Sequence, residues 1–134
     1  MIDLSHQELP VVLIVDDDPS VRRALGGVLR GNGFTTAEAA TVGAAIAATE
    51  QQSLAAVVLD LTLEHGESGL DFLSWLRQRP DHGSTPVLIL TGRTTLEAGD
   101  QDLIQRYRAY VFYKPHPFSV LVEYLKRLTT GHQP

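Results

Sequence analysis

Val57-Val58-Leu59-Asp60 is a short apolar run that stops on a carboxylate. It is rich in Val and Leu and does not alternate, the pattern of a strand buried on both faces of a sheet. Its last residue then falls where the strand leaves the sheet, at the carboxyl edge, where open α/β sheets bind ligands. Val11-Val12-Leu13-Ile14-Val15 is a second run of the same kind and ends in Asp16, Asp17 and Asp18. If these two strands are neighbours, several carboxylates converge on one small volume.

Outward from these runs, strand and helix patterns alternate along the chain. Pro19 and Ser20 open a helix with Val21, Ala24, Leu25, Val28 and Leu29 at helical spacing, and Asp18 suits its N-cap. Gly31-Asn32-Gly33 closes it. A second strand is expected at Phe34–Glu38. After it, Thr41 caps an Ala-rich helix that runs to near Gln52. The third strand, Ala55–Asp60, leads through a polar loop to a helix over Gly69–Arg79 with Leu70, Leu73 and Leu76 on one face. A fourth strand, Pro86–Leu90, ends in Thr91-Gly92. Leu96–Tyr107 has a weak helical pattern interrupted by Gly99. Ala109–Tyr113 is the fifth strand, ending at Lys114-Pro115. Phe118, Leu121, Leu125 and Leu128 mark the buried face of a last helix. Five β/α units in strict alternation predict a doubly wound parallel sheet of flavodoxin-like order 2-1-3-4-5, with strands one and three adjacent.

The 134 residues divide into an arm over 1–10, one domain over 11–129 and a tail over 130–134. The chain has 43% hydrophobic and 20% charged residues, an ordinary globular balance that supports a real core. Without cysteine there is neither a disulfide framework nor a thiolate metal site. No signal-peptide pattern and no membrane-length apolar run occur, so a cytoplasmic protein without membrane contact is expected. A net charge of −5 disfavours direct binding of nucleic acid. The adjacent basic pairs Arg22-Arg23 and Lys126-Arg127 read as solvated helix faces. His6, His82 and His132 form no metal-ligand spacing, His65 reads as a solvent-facing loop residue, and His116 as structural.

The strand ends carry the chemistry. Strand one supplies Asp16 and Asp17, strand three Asp60, strand four Thr91 and strand five Lys114. Two carboxylates about 4 Å apart repel by roughly 4 kcal/mol at an effective dielectric of 20. Three of them need a cation among them or a raised pKa. Hard oxygen ligands with no Cys or His nearby point to Mg²⁺. A carboxylate in that setting can attack phosphorus to form an acyl phosphate. Lys114 and Thr91 would then serve the phosphoryl oxygens. Singly, Thr91 suits a turn and Lys114 a surface charge, and one of the three N-terminal acids caps the first helix. Jointly, four strand ends delivering acid, acid, hydroxyl and amine point to phosphoryl transfer.

The motifs Leu13-Ile14-Val15-Asp16-Asp17-Asp18-Pro19, Val58-Leu59-Asp60-Leu61, Leu88-Ile89-Leu90-Thr91-Gly92 and Tyr113-Lys114-Pro115 resemble those of receiver domains of bacterial two-component response regulators, in order and over nearly the full length. The resemblance implies that Asp60 accepts a phosphoryl group from a histidine kinase or histidine phosphotransfer protein. It implies that Asp16, Asp17 and Asp60 bind Mg²⁺ together with the backbone carbonyl of Thr62. It further implies that Lys114 and Thr91 contact the phosphoryl group and that Thr91 reports its presence. Thr62 and Arg93 fall where the family tunes phosphoryl lifetime, and the Lys114-Pro115 bond is often cis there. A downstream protein target is implied, and self-association into a homodimer is compatible with the family. The chain would be a signalling receiver rather than an enzyme, standing alone or cut from a longer protein.

Three departures surround the signalling face. Glu64 stands where the family has a proline, and Gly66 and Gly69 are out of step, which predicts a loop longer by one residue. Three positions before Lys114 the family carries an aromatic, whereas this chain has Val111 flanked by Tyr110 and Phe112. Gln105–Ala109 lacks the family's Gly-Ala turn. An altered output surface with intact chemistry is expected. Two other functions remain: a pseudo-receiver that binds a partner without phosphorylation, and a small phosphatase of the haloacid dehalogenase type, whose Asp-x-Asp spacing Asp16-Asp17-Asp18 contains.

Overall fold

In the computed structural model, which describes residues 9–93 and 95–130, five parallel strands form one sheet in the order β2-β1-β3-β4-β5. They are β1 (Val11–Val15), β2 (Thr35–Ala39), β3 (Ala56–Leu59), β4 (Val87–Thr91) and β5 (Tyr110–Tyr113). The intervening helices are α1 (Pro19–Arg30), α2 (Val42–Gln51), α3 (Gly69–Arg77), α4 (Ala98–Arg106) and α5 (Phe118–Thr130). Most of the expected arm and tail, with His6 and His132, lies outside the described residues.

Two cores on opposite faces of the sheet explain why the central strands are apolar at every position. Leu13, Val15, Val57, Leu59, Val87 and Ile89 pack into one core with Phe72 and Leu73 of α3. Val12, Ile14, Ala56, Val58, Leu88 and Leu90 pack into the other with Leu25 of α1 and Leu121 of α5. Period-two alternation thus divides residues between two apolar layers rather than between core and water.

The caps follow the local sequence. Asp18 accepts from the Ser20 backbone amide at 2.9 Å, and Pro19 occupies the first turn of α1. The Thr41 hydroxyl accepts from the Ala44 amide at 3.1 Å at the start of α2. Where element ends differ from the expected ones, they do so by one or two residues. The expected Gly69–Arg79 helix stops at Arg77, and the expected Leu96–Tyr107 helix is confined to Ala98–Arg106. Ala24, expected on the buried face of α1, is exposed, and Gly26 is buried instead.

The turn before β5 lacks glycine, and Arg108 holds its left-handed corner at φ 57°. Ala109 N–H donates to Ile104 O at 3.1 Å, closing α4 in the manner of a glycine-capped helix. The Arg108 guanidinium donates to Gly83 O at 2.8 Å, which anchors a conformation that costs about 1–2 kcal/mol for a side chain with a Cβ.

His82, which forms no metal-ligand spacing, is 3% exposed, with Nδ1 2.9 Å from the Thr85 hydroxyl. This pair closes the turn between α3 and β4. Thr85→Val keeps the shape and removes the partner, so it is expected to destabilise the fold by about 1–3 kcal/mol in denaturant titration. Wild-type stability in that variant would show that the imidazole finds another partner.

Candidate functional site

β1 and β3 are hydrogen-bonded neighbours with Val15 opposite Leu59, so the residues that follow them leave the sheet side by side. Asp16, Asp17 and Asp60 each offer a carboxylate oxygen to a cluster whose members lie within 4.8 Å of one another. Asp16 is 3% exposed and Asp60 9%. Lys114 reaches in from the end of β5 and donates from Nζ to Asp16 Oδ2 at 3.0 Å and to Asp60 Oδ2 at 3.4 Å. One ammonium thus pairs with two of three clustered acids, which leaves the pocket net negative.

The electrostatics follow from that placement. Burial pushes the Asp60 carboxyl above the ordinary aspartate range; Lys114 opposes this, Asp16 adds to it, and the Thr62 amide opposes it. Burial works against the charge on Lys114, but its hydrogen bond to Asp16 and the charges of Asp60 and Asp16 prevail, so its pKa is raised. Asp18 stands apart. It is exposed, and hydrogen bonds from Ser20 hold its carboxyl below the usual range. With Asp18 committed to capping α1, the Asp-x-Asp pair of the phosphatase reading does not face the cluster.

Backbone around the cluster is pinned from several directions. Asp18 N–H donates to Asp16 Oδ1 at 2.9 Å, and Thr62 N–H donates to Asp60 Oδ1 at 3.3 Å. Arg22, expected on a solvated helix face, instead donates from Nη1 to Asp16 O at 2.6 Å and from Nε to Glu38 Oε1 at 3.1 Å. It ties the end of β1 to β2. The sequence carries no local signal for this, because the Glu38 partner lies 16 residues away.

After Asp60 the chain enters the loop in which one extra residue is expected. Glu64–Gly66 makes a single 3₁₀ turn in which the exposed His65 has φ 60° and Gly66 φ 75°. A bridge between Thr62 and Ser68 closes the loop, and Glu67 reaches back to accept from Val42 N–H at 3.0 Å. Gly69 then packs directly on the backbone of Asp60, where any Cβ would overlap the Asp60 carbonyl oxygen.

On the other side of Asp60, a cavity of about 270 Å³ is lined by Asp60, Thr62, Thr91, Gly92, Arg93 and Lys114. Thr91 is 1% exposed, and its hydroxyl accepts from Arg93 N–H at 3.2 Å. Every expected site residue except Asp16 and Asp17 borders this space, and those two adjoin it through Asp60. The pocket combines an acidic floor with hydroxyl and cationic walls, a combination that takes a tetrahedral oxyanion beside a divalent cation.

β5 pairs with β4 without a bulge, Ile89 opposite Val111 and Thr91 opposite Tyr113. Val111 therefore takes the position three before Lys114 on the α4 side, packed with the core that holds Ile104. Tyr110 and Phe112 point to the other face, each 5.4 Å from the ring of Tyr124 on α5. No bulge brings Tyr110 into that position.

Known proteins resemble this chain over most of its length. The family model for the response regulator receiver domain matches residues 12–126. The DNA-binding response regulator MtrA of Mycolicibacterium smegmatis is 37% identical over 102 residues, covering 71% of this chain and 43% of that protein. The KDP operon transcriptional regulatory protein KdpE of Escherichia coli is 36% identical over 104 residues, covering 71% and 44%. The chain thus spans less than half the length of these relatives. Among solved structures, chemotaxis protein CheY4 of Vibrio cholerae superposes with a TM-score of 0.79 at 24% identity, over 90% of this chain and 98% of that one. A CheY-like receiver domain protein from Methanospirillum hungatei gives 0.82 at 22%, over 92% and 96%. At such identities the structures speak for the fold alone.

Proposed function

This chain belongs to the family of response regulator receiver domains of two-component systems, and on that premise we propose that Asp60 is its phosphoacceptor. The observation that carries the reading is the placement of Asp60: a largely buried carboxylate shared between an acidic pair, a lysine ammonium and a cavity with room for a phosphoryl group. An Asp60 carboxylate oxygen attacks phosphorus of a phosphohistidine on a histidine kinase or histidine phosphotransfer protein. The new O–P bond forms as the P–N bond breaks, and the imidazole leaves with the bonding pair and takes up a proton. The product is an aspartyl phosphate held by the Lys114 ammonium and the Thr91 hydroxyl.

The donor set fits Mg²⁺: three carboxylates, all hard oxygens, with one lysine to balance them. Asp16, Asp17 and Asp60 would hold the ion, and the Thr62 carbonyl is the further ligand that the family resemblance adds. When bound, Mg²⁺ neutralises charge that develops on the phosphoryl oxygens. Lys114 orients the Asp60 oxygen, while Arg22 and the Asp18 amide hold Asp16 in place.

The chain acts as a stoichiometric acceptor rather than a turnover enzyme. The added charge would alter a protein-binding surface near β4, β5 and their helices. No described helix is long and apolar enough to cross a membrane. The net charge of −5 argues against direct nucleic-acid contact by this part of the molecule.

Intact-mass measurement after incubation with acetyl phosphate and Mg²⁺ tests the reading. One added phosphoryl group per wild-type chain, and none on Asp60→Asn, is the expected result. Equal addition to both proteins would place the acceptor elsewhere, and none on either would favour a receiver that works without phosphorylation.

A further inference from the structure

The Arg93 side chain has no part in the metal site or the acceptor step described above, yet it lines the same cavity. Its backbone amide donates to the Thr91 hydroxyl, its Nε donates to Thr62 Oγ1 at 3.3 Å, and its Nη1 donates to Asp100 Oδ2 at 3.0 Å. One side chain therefore spans the cavity over Asp60 from the β3–α3 loop to the first turn of α4. Asp100 is the acidic residue of that turn, with its side chain 26% exposed against 40% for Arg93.

α4 has few other ties to the body of the protein. Ile104 is its only buried residue among those described. The face of β5 beneath it presents Val111, which has no hydroxyl and too little bulk to follow a movement of Thr91, while the strand's aromatic rings pack toward α5 or lie exposed. A route from the acceptor pocket to α4 through an aromatic side chain is missing. The Arg93–Asp100 pair is the polar connection that the geometry offers in its place.

We propose that Arg93 is a clasp whose guanidinium leaves Asp100 for the phosphoryl group at Asp60, so that loading the pocket frees the first turn of α4. The inference rests on Asp60 being the acceptor. A phosphoryl group brings close to two negative charges and three strong acceptor oxygens into the cavity that Arg93 already lines. Asp100 offers a single carboxylate to a guanidinium that is itself 40% exposed, and a contact so open to solvent is worth little. Guanidinium pairs with phosphoryl oxygens through two parallel hydrogen bonds, which favours the exchange. Arg93 is thus a positioning residue: it steadies the phosphoryl group and reports its arrival to α4.

Amide chemical shifts with and without beryllofluoride and Mg²⁺, a non-transferable stand-in for the phosphoryl group, separate this role from a structural one. In the wild type, shifts are expected at Thr62, Thr91 and Lys114 and along Gly99–Ile104. In Arg93→Ala the pocket shifts should persist while the Gly99–Ile104 shifts are lost. In Asp100→Asn, the Gly99–Ile104 amides should lie near their loaded positions before any addition. Full Gly99–Ile104 shifts in Arg93→Ala, or none in the wild type with a loaded pocket, would overturn the clasp and leave the acceptor assignment standing. Absence of pocket shifts in the wild type would overturn both.

Discussion

Asp60→Asn is expected to melt above the wild type at pH 7 in a buffer free of divalent metal, while losing all capacity to be phosphorylated. The reason is charge crowding. Asp16, Asp17 and Asp60 lie within 4.8 Å of one another, and Lys114 compensates only part of their charge. Removing one charge should relieve about 1–2 kcal/mol after the lost Lys114 attraction is allowed for. For a domain of this size that is roughly 3–8 °C in melting temperature.

The pH dependence has a definite sign. The folded-state pKa of Asp60 is raised above its ordinary 3.8, with burial as the main cause. The protonated carboxyl is therefore the form the fold prefers, and its contribution to stability is complete below the ordinary value. It is lost as pH rises from there through the raised folded value. The gap between variant and wild type should open upward from about pH 4 and then level off. Lys114, raised from 10.5, changes its contribution only at alkaline pH and leaves this window untouched. Adding Mg²⁺ should reverse the order of stability: at a hundredfold excess over Kd a ligand stabilises by about 2.7 kcal/mol, and the variant has lost one of the three carboxylates proposed to hold the ion. A metal-free wild type that melts at or above Asp60→Asn at pH 7 would show the three acids to be fully compensated.

The sequence made the acidic floor legible because each acid directly follows a strand whose two faces are both apolar. Asp16 and Asp60 could be placed side by side once the strand order was settled by the alternation of units and the hand of their crossovers. Asp18 was legible as a cap from the Pro19 that follows it. What escaped were side chains whose partners are distant in the chain. Arg22 meets Glu38 and Arg93 meets Thr62, 16 and 31 residues away, and neither spacing leaves a periodic trace. His82 escaped for a different reason: its partner Thr85 lies only three residues on, but a polar turn residue gives no periodic sign that its ring will be buried. Element ends drifted where the stop was set by packing: Gln78 and Arg79 continue the helical composition, yet their amides already bond back to Trp75 and Leu76 as α3 unwinds. Val111 was legible as a departure, but only the unbroken register of β5 decides that neither neighbouring aromatic replaces it.

Gly69→Ala is the substitution expected to injure both stability and site, since the two share one contact. Gly69 opens α3, capped by Ser68, and its own amide donates to Leu61 O at 2.8 Å. A Cβ there would overlap the Asp60 carbonyl oxygen and lie 3.1 Å from both the Asp60 carbonyl carbon and Leu59 Cδ1. The obstructing atoms are mostly backbone, so no rotamer change relieves them. Either α3 moves outward, opening the core around Phe72 and Leu73, or β3 gives way and carries Asp60 with it. Overpacking of this kind costs about 1–3 kcal/mol, and more where backbone must shift. Two glycines serve as controls. Gly66→Ala meets open space but must hold φ 75°, so it should lose about 1 kcal/mol and keep Mg²⁺ binding. Gly99→Ala lies inside α4 with nothing within 4 Å and should gain up to about 1 kcal/mol. Thermal melts alongside Mg²⁺ titration of all three separate the mechanisms. Only Gly69→Ala should fall in both measurements, and a Gly69→Ala protein with wild-type melting and wild-type Mg²⁺ affinity would mean that the close approach of α3 does not position the acceptor aspartate.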